Sequence, residues 1–405
     1  MKGSRDPLDI RRLHWGTTTT LFQWRQPALW LYLAIMALGL FITFSEQVVF
    51  REISPPGWLL AWALVLLYAA PVFLLVYVLD LFEREPMSLV VAAFLWGAIA
   101  ATAFAGVANQ GWALVVARIL GPDVASEWTA ALTAPVVEET LKVLGIVLIY
   151  LIARGEMDDI MDGFVYGAMV GLGFAIVEDV FYFMAIFGGQ PEGVFTGFFV
   201  RVVASGLYGH VLYTGVTGIG VAYFVSRRGQ ATLARRWLVL LGLFAAAVFA
   251  HFLWNSPLLD FFPAEPWSGA DWLVVPFAAA VKGIPFLGFV AMLVYLARRR
   301  ERRWLDAVVG NEVDHDGQAL TEEEYEVLKD PRRRRRARRE MRARAGPKAA
   351  ALLKRLQRSQ INLAMVRTRV ASPNDPAMER QRAYCRSLRD ALLAMPGAAP
   401  ATRSG

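Results

Sequence analysis

Apolar residues in this chain come in long blocks, not in the short alternating patterns of soluble elements. A helix rising ~1.5 Å per residue needs about 20 mostly apolar residues to cross ~30 Å of hydrocarbon. Blocks of that order recur near 28–45, 57–79, 88–108, 128–153, 162–187, 195–225, 237–256 and 273–297. One alone reads as a buried core helix. Eight in series predict an all-α, polytopic membrane protein with about eight transmembrane helices. Residues 1–27 form a polar, basic segment without the apolar run and small-residue cleavage site of a removable signal peptide. Residues 298–405 break the pattern and predict a basic, partly helical tail. There Thr321 and Glu324 have capping-box spacing, and a long Ala/Arg/Leu stretch near 335–370 favours helix.

Positive charge in the short loops sets the orientation. With the N-terminus inside, the inner segments hold Lys2, Arg5, Arg11, Arg12 and Arg25, then Arg84, Arg154, Arg227, Arg228, Arg235 and Arg236. The outer loops hold only Arg51 and Arg118. Both termini are therefore expected in the cytoplasm of a multi-pass cell-membrane protein.

Composition sharpens this reading. Of 405 residues, 56% are apolar, and the mean hydropathy is +0.41. That excess excludes an ordinary soluble enzyme and a disordered chain. A single cysteine, Cys385, excludes an intrachain disulfide. The net charge of +7 hides two objects: residues 298–405 carry 26 Lys/Arg against 14 Asp/Glu, leaving 16 against 21 for residues 1–297. The tail blocks Arg298–Arg300 and Arg332–Arg336 are expected to meet anionic lipid headgroups. Nucleic acid is disfavoured, because few aromatics are present to stack bases. Glu312, Asp314, Asp316, Gly317 and Glu323 mimic EF-hand spacing. A Glu at the first position, with no long helix expected before it, argues against calcium.

The candidate chemistry lies in ionisable residues inside the spans, each costing at least ~2.5–3.5 kcal/mol at a helix centre. The fourth span carries Glu138, Glu139 and Lys142; the fifth Glu178 and Asp179; the sixth Arg201 and His210; the seventh His251 and Asn255; the eighth Lys282. Glu138 and Lys142 are i,i+4 and can pair, while Glu139 points about 100° away. His251 and Asn255 also share a face, and His210, Thr214 and Thr217 form a polar stripe. Gly163, Gly167 and Gly171 make a small-residue face suited to close helix packing. At ~1.5 Å per residue, Glu138 sits ~15 Å and Glu178 ~14 Å from the outer ends of their spans. The groups can therefore meet in the outer half of the bilayer. Carboxylates, imidazoles and an amide suit hydrolysis, with Glu as general base or with Glu and His holding a metal. The same groups can form a proton or cation relay of a transporter, or a buried network that only fixes packing in a scaffold acting through its tail.

The motifs EExxK (Glu138 to Lys142), FxxxE (Phe174 to Glu178), His210, and HxxxN (His251 to Asn255) follow one another in successive spans. In this the chain resembles the PrsW family of intramembrane proteases, related to the CAAX prenyl endopeptidase and bacteriocin-immunity superfamily. The resemblance covers roughly 130–256, within a protease-like domain over 28–297. It implies an intramembrane endopeptidase cutting a membrane protein, such as a single-span anti-sigma factor, on its extracytoplasmic side. It also implies Glu138 and Glu139 as the catalytic pair, completed by Glu178, His210 and His251, with Asn255 stabilising the oxyanion. If a metal is used, with Zn(2+) the expected ion, Glu139, Glu178, His210 and His251 are its candidate ligands. No HExxH helix is present, so a metal and a Glu-activated water remain alternatives. Where the family usually has Glu-Asn, this chain has Glu178-Asp179. Arg201 lies about 180° from His210 on an ideal helix and is left outside the expected site.

Overall fold

The structure is a computed structural model that describes residues 21–79, 85–157, 159–204, 209–258, 271–314, 319–370 and 372–398. Lys2, Arg5, Arg11, Arg12, Arg84, Asp316 and Gly317, used in the sequence argument, lie outside the described residues. Every regular element among the described residues is helical. Two units pack separately; the chain passes from the first to the second at Tyr295–Leu296.

The first unit is apolar outside as well as inside. Its helices are α1 (Pro27–Ile53), α2 (Pro55–Leu79), α3 (Met87–Leu95), α4 (Thr102–Leu120), α5 (Pro122–Leu132), α6 (Ala134–Ile152), α7 (Ile160–Phe181), α8 (Pro191–Phe198), α9 (His210–Ser226), α10 (Leu233–Asn255) and the start of α11 (Asp271–Asp314). A π-helical turn at Trp96–Ala101 joins α3 to α4. Among the described residues, six segments are long and apolar enough to cross a membrane: Pro27–Ile53, Pro55–Tyr77, Met87–Leu120, Ile160–Ile186, Leu233–Asn255 and Pro276–Arg300.

The other two expected spans are interrupted. Pro135 lacks the N–H that would continue a helix, so the expected fourth span divides at Thr133 into α5 and α6. The expected sixth span leaves α8 through a π-helical stretch, Phe199–Ala204, and a separate regular helix starts at His210. Gly209 precedes that restart at the N-cap. His210 therefore opens a 17-residue helix and does not sit midway along a long one.

Helix α7 is the buried centre of this unit, with almost every residue shielded. Asp159 and Asp162 cap its start reciprocally. Its glycines face two neighbours. A Cβ at Gly163, Gly167 or Gly171 would lie 2.1–2.2 Å from the Gly218, Thr214 or His210 carbonyl oxygen of α9. On another side, a Cβ at Gly173 would lie 1.9 Å from the Phe94 carbonyl oxygen. Lipid provides little hydrophobic drive for helices to associate, so backbone approach across small residues supplies the packing. Trp96 reaches over Gly145 and donates from Nε1 to the Leu141 carbonyl at 2.9 Å, tying the π-turn to α6.

The second unit has its own core. It contains the end of α11, then α12 (Glu322–Leu328), α13 (Pro331–Arg369) and α14 (Pro376–Leu393). Thr321 and Glu324 form the expected capping box. The tail is more than a solvated charge block: Leu356, Leu363, Val366, Met378, Cys385 and Leu388 pack together. Burial pushes the Cys385 thiol up to about 12. Contrary to expectation, a long helix does precede the EF-hand-like residues. Glu312 near its end is paired with Arg382 at 2.7 Å, which binds up the first of the supposed ligands.

Gly167→Val is expected to destabilise the protein by about 3 kcal/mol or more through overpacking against Thr214. Gly106→Ala, where a Cβ meets nothing within 4 Å, is expected to be neutral. Thermal unfolding in detergent compares the two.

Candidate active site

The centre of the site is a charge that the sequence places on α6. Lys142 is fully buried. Its Nζ lies 2.9 Å from Glu139 Oε1, 3.4 Å from Glu138 Oε2 and 2.8 Å from His210 Nδ1. It also stands 3.7 Å from the centre of the Phe174 ring. The i,i+4 partner was legible, yet the closer carboxylate is Glu139, at i,i+3. The two acids diverge around the helix, but the long lysine stem reaches both.

The hydrogen bonds assign the imidazoles. An ammonium group has no lone pair, so neutral His210 accepts at Nδ1 and carries its proton on Nε2, which meets Glu178 Oε2 at 2.8 Å. His251 Nδ1 faces Glu139 Oε1 at 3.3 Å and serves as its donor. That leaves a lone pair on His251 Nε2, 3.8 Å from Glu138 Oε2. Tyr213 stacks on the His251 ring, with centroids 5.2 Å apart, and fixes its plane. Glu139 is the more fully bonded acid, because Thr214 Oγ1 also donates to its Oε2 at 3.1 Å. Glu138 is more open: Asn109 Nδ2 donates to its Oε1 at 3.1 Å, and its other oxygen faces His251 and Lys142.

Arg201 closes the far side. Its Nη2 lies 2.7 Å from Glu178 Oε2, and its Nε 2.6 Å from Asp179 Oδ1. The guanidinium stacks 3.7 Å from the Tyr182 ring centre. Thus the ideal-helix projection that set Arg201 apart fails, because π-helical winding and the restart at His210 replace a straight span. Asp179, the departure from Glu-Asn, is the carboxylate that binds Arg201, with Tyr68 donating to it at 3.5 Å.

Five expected residues, Glu138, Glu139, Glu178, His210 and His251, therefore form one connected cluster with Lys142 and Arg201. Asn255 does not join it. Its Nδ2 donates to the Ala130 carbonyl at 3.2 Å, tying the end of α10 to α5. Lys282 likewise holds that end of α10, donating to the Trp254 and Ser256 carbonyls at 3.4 and 3.0 Å. Thr217 turns back to the Tyr213 carbonyl, so only Thr214 of the expected stripe serves the cluster with His210. Asn109, Arg201, Tyr68 and Tyr182 were missed. Asp179 adjoins Glu178 in sequence, and for Arg201 a charge in a span was the available signal; Asn109 offered only an uncharged amide.

The donor chemistry fits a metal ion. One oxygen of Glu138 and one ring nitrogen each of His210 and His251 lie within 4.8 Å of one another. A His₂Glu set with a further open position is a catalytic zinc arrangement. The trio shares His210 and His251 with the expected ligand set and has Glu138 where that set has Glu139 and Glu178; because Lys142 meets His210 Nδ1 and Glu178 its Nε2, His210 would bind a metal only by giving up one of these partners. Four carboxyl groups also meet only two permanent cations here, a balance that a divalent ion would complete.

Arg201→Met leaves Glu178 and Asp179 without their shared cation. A loss of about 3 kcal/mol is expected, with Arg201→Lys recovering part of it, as read by unfolding in detergent.

The sequence profile of the PrsW family of intramembrane metalloproteases matches residues 85–284. That match reaches well beyond the 130–256 motif core and takes in α4. The protease PrsW of Geobacillus kaustophilus (strain HTA426) is 30% identical over 199 residues, which are 49% of this chain and 72% of that protein. No solved structure matches. With its buried Glu/His cluster set among apolar helices, this chain belongs to the PrsW family of intramembrane proteases.

Proposed function

We propose that the chain cuts a peptide bond of a single-span membrane protein, an anti-sigma factor for example, at the Glu138/His210/His251 group. The observation that carries this is the convergence of those three donors, from α6, α9 and α10, within 4.8 Å inside an apolar helical unit. Glu138 is the base that takes a proton from water; such a group contributes about 10²–10⁴-fold to rate. Glu139 is the anchor that holds Lys142, His251 and Thr214 in place. Glu178, fixed by Arg201, orients His210. If a metal, zinc being the natural candidate, is held by Glu138, His210 and His251, Glu138 is its ligand and not the base, and the metal would supply Lewis-acid polarisation of the carbonyl and an acidified water. Asn255 lends the oxyanion support that the family resemblance implies only after leaving Ala130.

The reaction lies in the outer half of the bilayer, with both chain termini cytoplasmic. Interrupted helices α5–α6 and α8–α9 complete eight crossings. Broken helices are tolerated at membrane depth where they border a wet cavity, which is what a hydrolase requires. The exposed arginines of α13, among them Arg332, Arg333, Arg335, Arg336 and Arg339, bind anionic lipid headgroups, each worth about 1 kcal/mol near such a surface.

Glu138→Gln and His251→Ala are expected to lower cleavage of a co-reconstituted single-span substrate by at least about 100-fold while the melting temperature holds. If a metal is used, a strong chelator strips both metal and activity, and zinc restores both. Full activity with metal content near zero would leave the Glu/His-activated water alone. Normal cleavage by Glu138→Gln would overturn the site.

A further inference from the structure

Asn109 lies on α4, outside every motif that pointed to the site. Its Nδ2 donates to Glu138 Oε1 at 3.1 Å. Its Oδ1 is shut off from solvent and has no hydrogen-bond partner. Turning the amide over would set two acceptors against each other, so this orientation is the one Glu138 selects. A buried amide oxygen without a donor is costly, more so at membrane depth. Asn109 stands beside the carboxylate that the proposed chemistry uses.

The separation can be bounded. The O and N of one amide lie about 2.3 Å apart, from its bond lengths. Asn109 Oδ1 is therefore no more than about 5.4 Å from Glu138 Oε1. One water with hydrogen bonds of about 2.8 Å on each side covers that span. We infer that Asn109 is a water-positioning residue of the protease: its Nδ2 fixes Glu138, and, once substrate entry opens space beside it for a water, its Oδ1 takes the second hydrogen of the water that Glu138 activates. The inference rests on the reading of Glu138 as the base.

The geometry does chemical work because water has two hydrogens. With one directed to Glu138 and the other to Asn109 Oδ1, a lone pair is left to face the scissile carbonyl carbon. Glu138 accepts one proton as the water oxygen bonds to that carbon, and the carbonyl π pair moves onto its oxygen. When that pair returns, the C–N bond breaks, and the proton held by Glu138 passes to the leaving nitrogen. One water is consumed and one peptide bond becomes a carboxylic acid and an amine. Asn109 exchanges no proton; it restricts the water to one attacking orientation. Misplacement by about 1 Å can cost about 100-fold in rate.

The test uses the full chain in liposomes with a fluorogenic single-span peptide that the wild type cleaves. Asn109→Leu, which matches the side chain in size, and Asn109→Ala should each lower kcat by about 100-fold with KM within twofold and an unchanged melting temperature. Adding either to Glu138→Gln should cost less than a further threefold, since both act on one water. A kcat within threefold of wild type, a loss confined to KM, or multiplicative losses in the double variant would overturn the inference. If Asn109→Leu melts early, Asn109→Ala decides. Glu138→Gln is assayed alongside: if it cleaves normally the parent reading fails, whereas an inactive Glu138→Gln beside an active Asn109→Ala sinks only the role of Asn109.

Discussion

A buried ammonium group with several claimants organises this protein. Lys142 cannot remain charged in an apolar interior unless partners surround it, and those partners come from more than its own helix. Glu138 and Glu139 share α6 with it, Phe174 reaches from α7, and His210 from α9. Through Glu139 the same network extends to His251 on α10. Arg201 repeats the arrangement with Glu178 and Asp179. The helices therefore converge where the charges are, and Glu138, the proposed base, is the carboxylate the two cations leave least occupied.

Such convergence needs short distances between backbones. The glycine face of α7 lets α9 approach until carbonyl oxygens fill the places where Cβ atoms would stand. Because Gly171 touches the His210 carbonyl, the packing stripe ends at the residue that begins the site. Packing and chemistry thus share one helix pair: the approach that stabilises α7 against α9 also brings Glu178 to His210.

Much of this was legible in the chain. Apolar run length gave the helices, the Thr321–Glu324 spacing gave a cap, and ionisable residues in spans pointed to the cluster, because such groups are rarely tolerated without partners. What stayed hidden depended on departures from ideal helix. A helical wheel drawn through one straight span separates Arg201 from His210; π-turns and a restart bring both to Glu178. The wheel also joined Asn255 to His251, but α10 ends at Asn255 and its amide turns to Ala130. Asn109 was silent because an uncharged amide stands out little in an apolar run. The tail core was masked by its arginines, many of which sit on the exposed side of helices whose leucines and methionines face inward.

The most direct measurement is a double-mutant cycle on the lysine at the centre. Lys142→Met should destabilise the protein by about 3–5 kcal/mol, and adding Glu139→Gln should recover a substantial part of that loss, because the second change removes a carboxylate left without its cation. Unfolding in detergent of the two single variants, the pair and the wild type gives the coupling. If the two losses simply add, Lys142 and Glu139 do not compensate each other, and the cluster is not held together by the buried charge.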